Sequence, residues 1–209
     1  MRTDLLVLVQ WLSPAFPTGG YAYSHGLETV IAEGERTVAG IGAWIAGVVC
    51  HGSGQVDSVL LACMLRGGDA AALDATARAL AATKERLAET LEQGTAFART
   101  VSALTGRALP ARCLPIAVGE AAAVLDLAAN EVIAVYLHAF AANLVACATR
   151  FAPLGQTEAQ RMLAGLHPLI GLMADRAASA GLDEIGTAAL GADLAAMRHE
   201  TMDVRIFKT

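Results

Sequence analysis

Apolar residues recur at three- and four-residue intervals along nearly all of this 209-residue chain, and alternating apolar–polar runs are almost absent. That spacing is the repeat of a helix burying one face, and it leaves little chain from which to build a sheet. Asp4–Leu12 reads as a short helix halted by the Ser13-Pro14 step, and Ser24–Ala32 as a second one with Gly34 as its stop. Thr37–Cys50 and Gln55–Arg66 follow, the latter closed by Gly67-Gly68. Asp69 stands where an N-cap belongs for a helix through Ala82. Lys84–Leu104 comes next, and Gly106–Pro115 is the best internal linker. Pro115–Ala128, Glu131–Phe151 capped by Asn130, Thr157 to Ala180 with Pro168 as a kink or break, and Leu190–Glu200 complete the series. Thr157-Glu-Ala-Gln160 fits a capping box. Met202–Thr209 alternates apolar and charged residues and is expected to be extended. The expectation is an all-α, single-domain helical bundle of about ten helices over residues 1–209, with an extended C-terminal tail.

One stretch breaks the helical pattern with an unusual composition: Ser13-Pro-Ala-Phe-Pro-Thr-Gly-Gly-Tyr-Ala-Tyr-Ser-His-Gly-Leu-Glu28. Pro14 and Pro17 fix φ and lack amide donors, while Gly19 and Gly20 admit positive φ. Phe16, Tyr21 and Tyr23 concentrate aromatic surface in a chain with only 5% aromatic residues. A connector that merely turned the chain would need none of this, so a shaped, rigid segment is expected.

Composition narrows the function classes. A net charge of −5 without clustered Lys and Arg argues against a nucleic-acid footprint. Cys50, Cys63, Cys113 and Cys147 stand singly, as free thiols of a cytoplasmic protein do. The apolar run after Met1 leads into Trp11-Leu-Ser-Pro14 rather than a small-residue cleavage site, so no signal peptide is expected. A 55% hydrophobic content and a mean hydropathy of +0.49 raise the question of membrane insertion. Thr37–Val56 and Val132–Thr149 lack charged residues, but their glycines, histidines and alanines suit buried core helices better than membrane spans. Arg66–Arg107 holds six basic and five acidic residues, whereas Ala108–Thr149 holds only Arg112, Glu120, Asp126 and Glu131. That contrast predicts surface helices first and a central pair after them, with Glu120 and Asp126 at the surface.

Few residues are arranged for chemistry. Ser24, His25 and Glu28 are the types of a nucleophilic triad, but neighbours within one helical turn rarely meet as a triad must, and Gly-x-Ser-x-Gly is missing. Ser24 is better read as a helix cap. A small hydrolase using Ser24 and His25 is the enzymatic alternative, and a helical membrane protein is the structural one. His25, His51, His138, His167 and His199 are side chains that suit nickel or zinc, but none sits in HExxH or a His/Cys cluster. Cys50-His51 could bind a soft metal only transiently. No GxxxxGK[ST] segment exists for a nucleotide. No catalytic residue, resident cofactor or metal site is therefore expected. Arg198-His199-Glu200 and Arg205-Ile206-Phe207-Lys208 combine fork-like charge with an aromatic anchor, the chemistry of interface hot spots.

The segment Ser13–Glu28 closely resembles the opening motif of the UreF-type urease accessory proteins. Asn143-Leu-Val, Pro153-Leu-Gly-Gln-Thr-Glu-Ala-Gln-Arg161 and Met197-Arg-His-Glu-Thr-Met202 with the closing Arg-Ile-Phe-Lys agree in order, so the likeness runs from residue 5 to 209. The resemblance implies an all-α, non-enzymatic chaperone of nickel insertion into apo-urease. It implies a homodimer that bridges the UreD (UreH) accessory protein and the GTPase UreG, with nickel handled by the complex. It also implies partner binding by Tyr23, Ser24, His25 and Glu28 of the motif. In the tail it points to Arg198, His199, Glu200, Arg205, Ile206 and Phe207. One departure is Asp203, where the family commonly has an aromatic residue.

Overall fold

The computed structural model describes residues 3–208; Met1, Arg2 and Thr209, which close the N-terminal run and the tail, lie outside them. Ten α-helices are seen among the described residues: α1 (Thr3–Trp11), α2 (Leu27–Ala32), α3 (Val38–His51), α4 (Ser53–Leu65), α5 (Ala70–Ala79), α6 (Lys84–Thr105), α7 (Leu114–Ala122), α8 (Ala129–Phe151), α9 (Gln156–Ser179) and α10 (Leu190–His199). Short 3-10 turns occupy Gly20–Ala22 and Leu182–Glu184, and no strand forms among these residues. The fold is the all-helical single domain expected.

Helix α8 lies at the centre, packed along α9 and touched by α1, α2, α3 and α4. Its Ile133, Leu137, Leu144 and Val145 are buried, as are Leu61 of α4 and Phe97 and Val101 of α6. Each such side chain contributes about 1.5–3 kcal/mol on leaving water. Trp11 meets Phe97 edge-on at 6.2 Å between centroids, and Phe16 of the irregular segment lies 5.7 Å from the same ring. The proline-rich stretch is thereby nailed to the core. The runs Val38–Leu65 and Ala129–Phe151 have the length and apolar content of membrane spans. In the structure 67% and 50% of their most apolar windows are buried, and Gly52 breaks the first run between α3 and α4. Their hydrophobicity is used by the core.

Several local expectations need correction. Asp69 does cap α5, accepting from Ala71 and Ala72 amides at 2.8 and 3.2 Å, but α5 ends at Ala79 and α7 at Ala122. Asn130 is not a cap. The Glu131 carboxylate reaches back to the Ala128 amide at 2.8 Å, and Asn130 instead donates across to Asp175 of α9. Likewise α9 starts one residue before Thr157, with Glu158 approaching the Gly155 amide at 3.4 Å. Pro168 does not break α9, because Pro168 and Ala164 are both solvent-facing and water can satisfy the freed carbonyl. The tail is neither helix nor extended arm. It turns at residues 200–207 and folds back onto α2 and α6. Nor is α6 a plain surface helix, since Glu89, Thr90 and Gln93 are buried.

Candidate functional site

The irregular segment is held by left-handed backbone at Gly19, His25 and Gly26, with φ of 77°, 53° and 74°. Positive φ is unusual for a residue with a side chain, so His25 marks a position over-determined by its surroundings. Gly26 has a second reason to be glycine: a Cβ there would lie 2.8 Å from the Ala196 nitrogen and 3.0 Å from the Ala195 Cβ of α10. The close approach of α2 to α10 depends on that missing methyl. From α8, the Asn143 amide donates to the carbonyls of Gly20 at 2.6 Å and Tyr23 at 3.2 Å. Arg150 adds a bond to the Tyr21 carbonyl at 2.9 Å.

Glu28 is the hub. Its side chain is 1% exposed, yet three groups satisfy or approach it. Its Oε1 accepts from the Ile206 amide at 2.7 Å. Its Oε2 accepts from the Phe207 amide at 2.9 Å and lies 2.9 Å from His199 Nε2. The Ser24 hydroxyl accepts from the Glu28 amide at 3.2 Å, which serves an unpaired donor at the start of α2. A buried carboxylate is costly unless paired, and here the pairing partners come from the other end of the chain.

Helix α6 supplies the rest as a stripe at Glu85, Glu89 and Glu92, spaced to share one helix face. Glu85 takes His199 Nδ1 at 2.8 Å on one oxygen and Arg205 at 2.7 Å on the other. Glu92 receives both the Tyr23 hydroxyl at 2.6 Å and the Lys208 ammonium at 2.7 Å. The bonds from Lys208 and Tyr23 hold the Glu92 carboxyl below its usual range, whereas burial and Glu92 together raise the Tyr23 phenol. Between them, Glu89 Oε1 lies 3.0 Å from His25 Nε2 and accepts from Gln93 at 2.9 Å. Arg86 stands 3.2 Å from its other oxygen and forms a two-pronged bond to Asp57 at 2.7 and 2.8 Å, and Asp57 also accepts from Tyr136. Burial pushes the Glu89 carboxyl upward, but His25 and Arg86 outweigh it and leave it below the ordinary value. Glu200 closes the assembly by accepting from the Lys84 amide, an unpaired donor at the start of α6, at 2.8 Å.

The ten residues singled out from sequence therefore converge on one region, in unequal positions. Tyr23, Ser24, His25, Glu28, His199 and Phe207 are buried, and Glu200 is half-buried. Arg198, paired with Glu33 at 3.0 Å, Arg205 and Ile206 face solvent. The backbone of Ile206 is tied inward while its side chain is 61% exposed. Sequence reasoning missed Glu85, Glu89, Glu92, Asp57, Arg86 and Tyr136. The glutamate spacing on α6 was the one available signal, hidden because charges on a helix usually mean a solvated face. His25 presents its ring nitrogens to Glu89 and to Ser53 at 3.0 Å, and Ser24 is buried, so no solvent-facing nucleophile and base are built there. Among the described residues, no three His, Cys, Asp or Glu side chains are grouped to hold a metal ion.

Comparison with known proteins agrees with the motif order. Residues 36–167 match the family model described as UreF. A protein of Cereibacter sphaeroides named urease accessory protein UreF is 63% identical over 210 residues, covering 100% of both chains. Its namesake from Paracoccus denitrificans is 53% identical over 205 residues, covering 98% of this chain and 95% of its own. That of Roseobacter denitrificans is 47% identical over 213 residues, covering 100% and 96%.

Proposed function

Because the chain belongs to the UreF family of urease accessory proteins, we propose that it acts as a cytoplasmic homodimeric scaffold joining UreD (UreH), the GTPase UreG and apo-urease during nickel insertion. Nickel is the cargo of that assembly, and the chain contributes contact surface rather than chemistry. The observation that carries this reading is the way the tail is mounted. Amides of Ile206 and Phe207 are fixed on buried Glu28 while Ile206 and Val204 project outward, 61% and 77% exposed. Leu190, Leu194 and Met197 of α10 are exposed as well. A rigidly held apolar edge bordered by Arg198 and Arg205 is suited to a partner, since little ordering entropy remains to be lost on docking. UreD is the partner assigned to this edge, and Tyr23, Ser24, His25, Glu28, His199, Glu200 and Phe207 support it from beneath.

Removing residues 198–209 would be an ambiguous test, because His199 and Phe207 belong to the fold. Val204→Asp with Ile206→Asp leaves the Glu28 bonds available and changes only what faces out. Co-purification with UreD is expected to fall at least roughly tenfold, while the thermal unfolding midpoint stays within a few degrees. Undiminished UreD capture by this variant would remove the tail edge from the docking surface.

A further inference from the structure

Helices α8 and α9 carry two imidazoles that the site described above does not use. His138 and His167 face each other across the pair, with ring centroids 5.3 Å apart and planes inclined at 52°. Both residues are solvent-facing, and among the described residues no hydrogen bond or ion pair engages either ring. Gly171 of α9 shares the helix face of His167, and a Cβ built there would meet nothing within 4 Å.

We propose that His138 and His167 form a two-imidazole site for a divalent late first-row transition ion such as Ni²⁺ or Zn²⁺. Imidazole nitrogen suits these borderline ions, and two rings on adjacent packed helices are already brought together. Two protein ligands fall short of a closed four-coordinate site. The remaining positions are taken by water, or by the same pair from a second copy of the chain. Binding displaces water and any ring proton and changes no oxidation state. The inference is independent of the tail-docking reading.

The test is calorimetric titration of the untagged full-length chain with NiCl₂ and, separately, ZnCl₂. The wild type is expected to bind one ion per chain. A stoichiometry of one ion per two chains also supports the pair, with the second copy completing the coordination. His138→Ala and His167→Ala should each weaken binding by at least the roughly 10–100-fold that loss of an outer-shell partner costs. His51→Ala, which removes another exposed imidazole, should leave it unchanged. Circular dichroism of each variant confirms that the helices persist. Metal binding that survives both substitutions, or no binding to the wild type at millimolar ion, overturns the proposal.

Discussion

At the scale of single residues, Glu28 decides how the two ends of the chain meet. Its carboxylate takes two tail amides and His199, all inside the protein. Glu28→Ala strands those groups, and removing one partner of a buried pair typically costs about 3–5 kcal/mol. Urea unfolding should show a loss of that size. A loss below about 1 kcal/mol, the value of an ordinary hydrogen bond, would contradict the hub. Gly26 shows the same dependence from the backbone side, through its positive φ and the absent Cβ against α10. The motif glycines, the motif glutamate and the histidine were all visible as residue types in the sequence. What each touches was not, because the partners of Glu28 lie more than 160 positions away and those of His25 lie 28 and 64 positions away, distances that no local spacing encodes.

Among the elements, α6 behaves least like its sequence. Its core-facing positions include Phe97 and Val101, but its first half buries Glu89 against His25 and Arg86. A carboxyl held below its unfolded value stabilises the fold fully above that value, about 4.3 for a glutamate, and loses the contribution as pH falls through the folded one. The urea midpoint should therefore drop as pH is lowered from about 4.3, and Glu89→Gln should flatten that part of the profile. A variant whose acid limb matches the wild type would show that Glu89 is not its source. The helices themselves were legible, since apolar spacing and glycine stops outline nearly all of them. Boundaries such as the end of α7 and the start of α8 were not. There a turn and the Glu131 carboxylate, rather than the side chain of Asn130, complete the helix ends.

On the scale of the whole molecule, the tail is both part of the fold and the edge offered to a partner. Truncation after Met202 removes buried Phe207 and the Arg205–Glu85 and Lys208–Glu92 pairs. Surface pairs add little, so the cost is that of Phe207, about 1.5–3 kcal/mol, together with that of the Ile206 and Phe207 amides taken from buried Glu28. In a chain of this length the Phe207 share alone corresponds to a melting point lower by roughly 3–12 °C. A truncated protein melting with the wild type would mean that the tail is not anchored as described. The stability cost and the partner-binding cost are thus separable, and the outward-facing double substitution measures the second alone.

The helical character, the absence of a sheet, the shaped segment at 13–28 and the family motifs are all properties of local sequence. Helix periodicity, caps and glycine stops act over a few residues and can be read there. The joining of that segment to the tail through Glu28, His199 and the α6 glutamates was decided only in three dimensions. A buried charge has to be paired, and its pair can be recruited from anywhere that packing brings close.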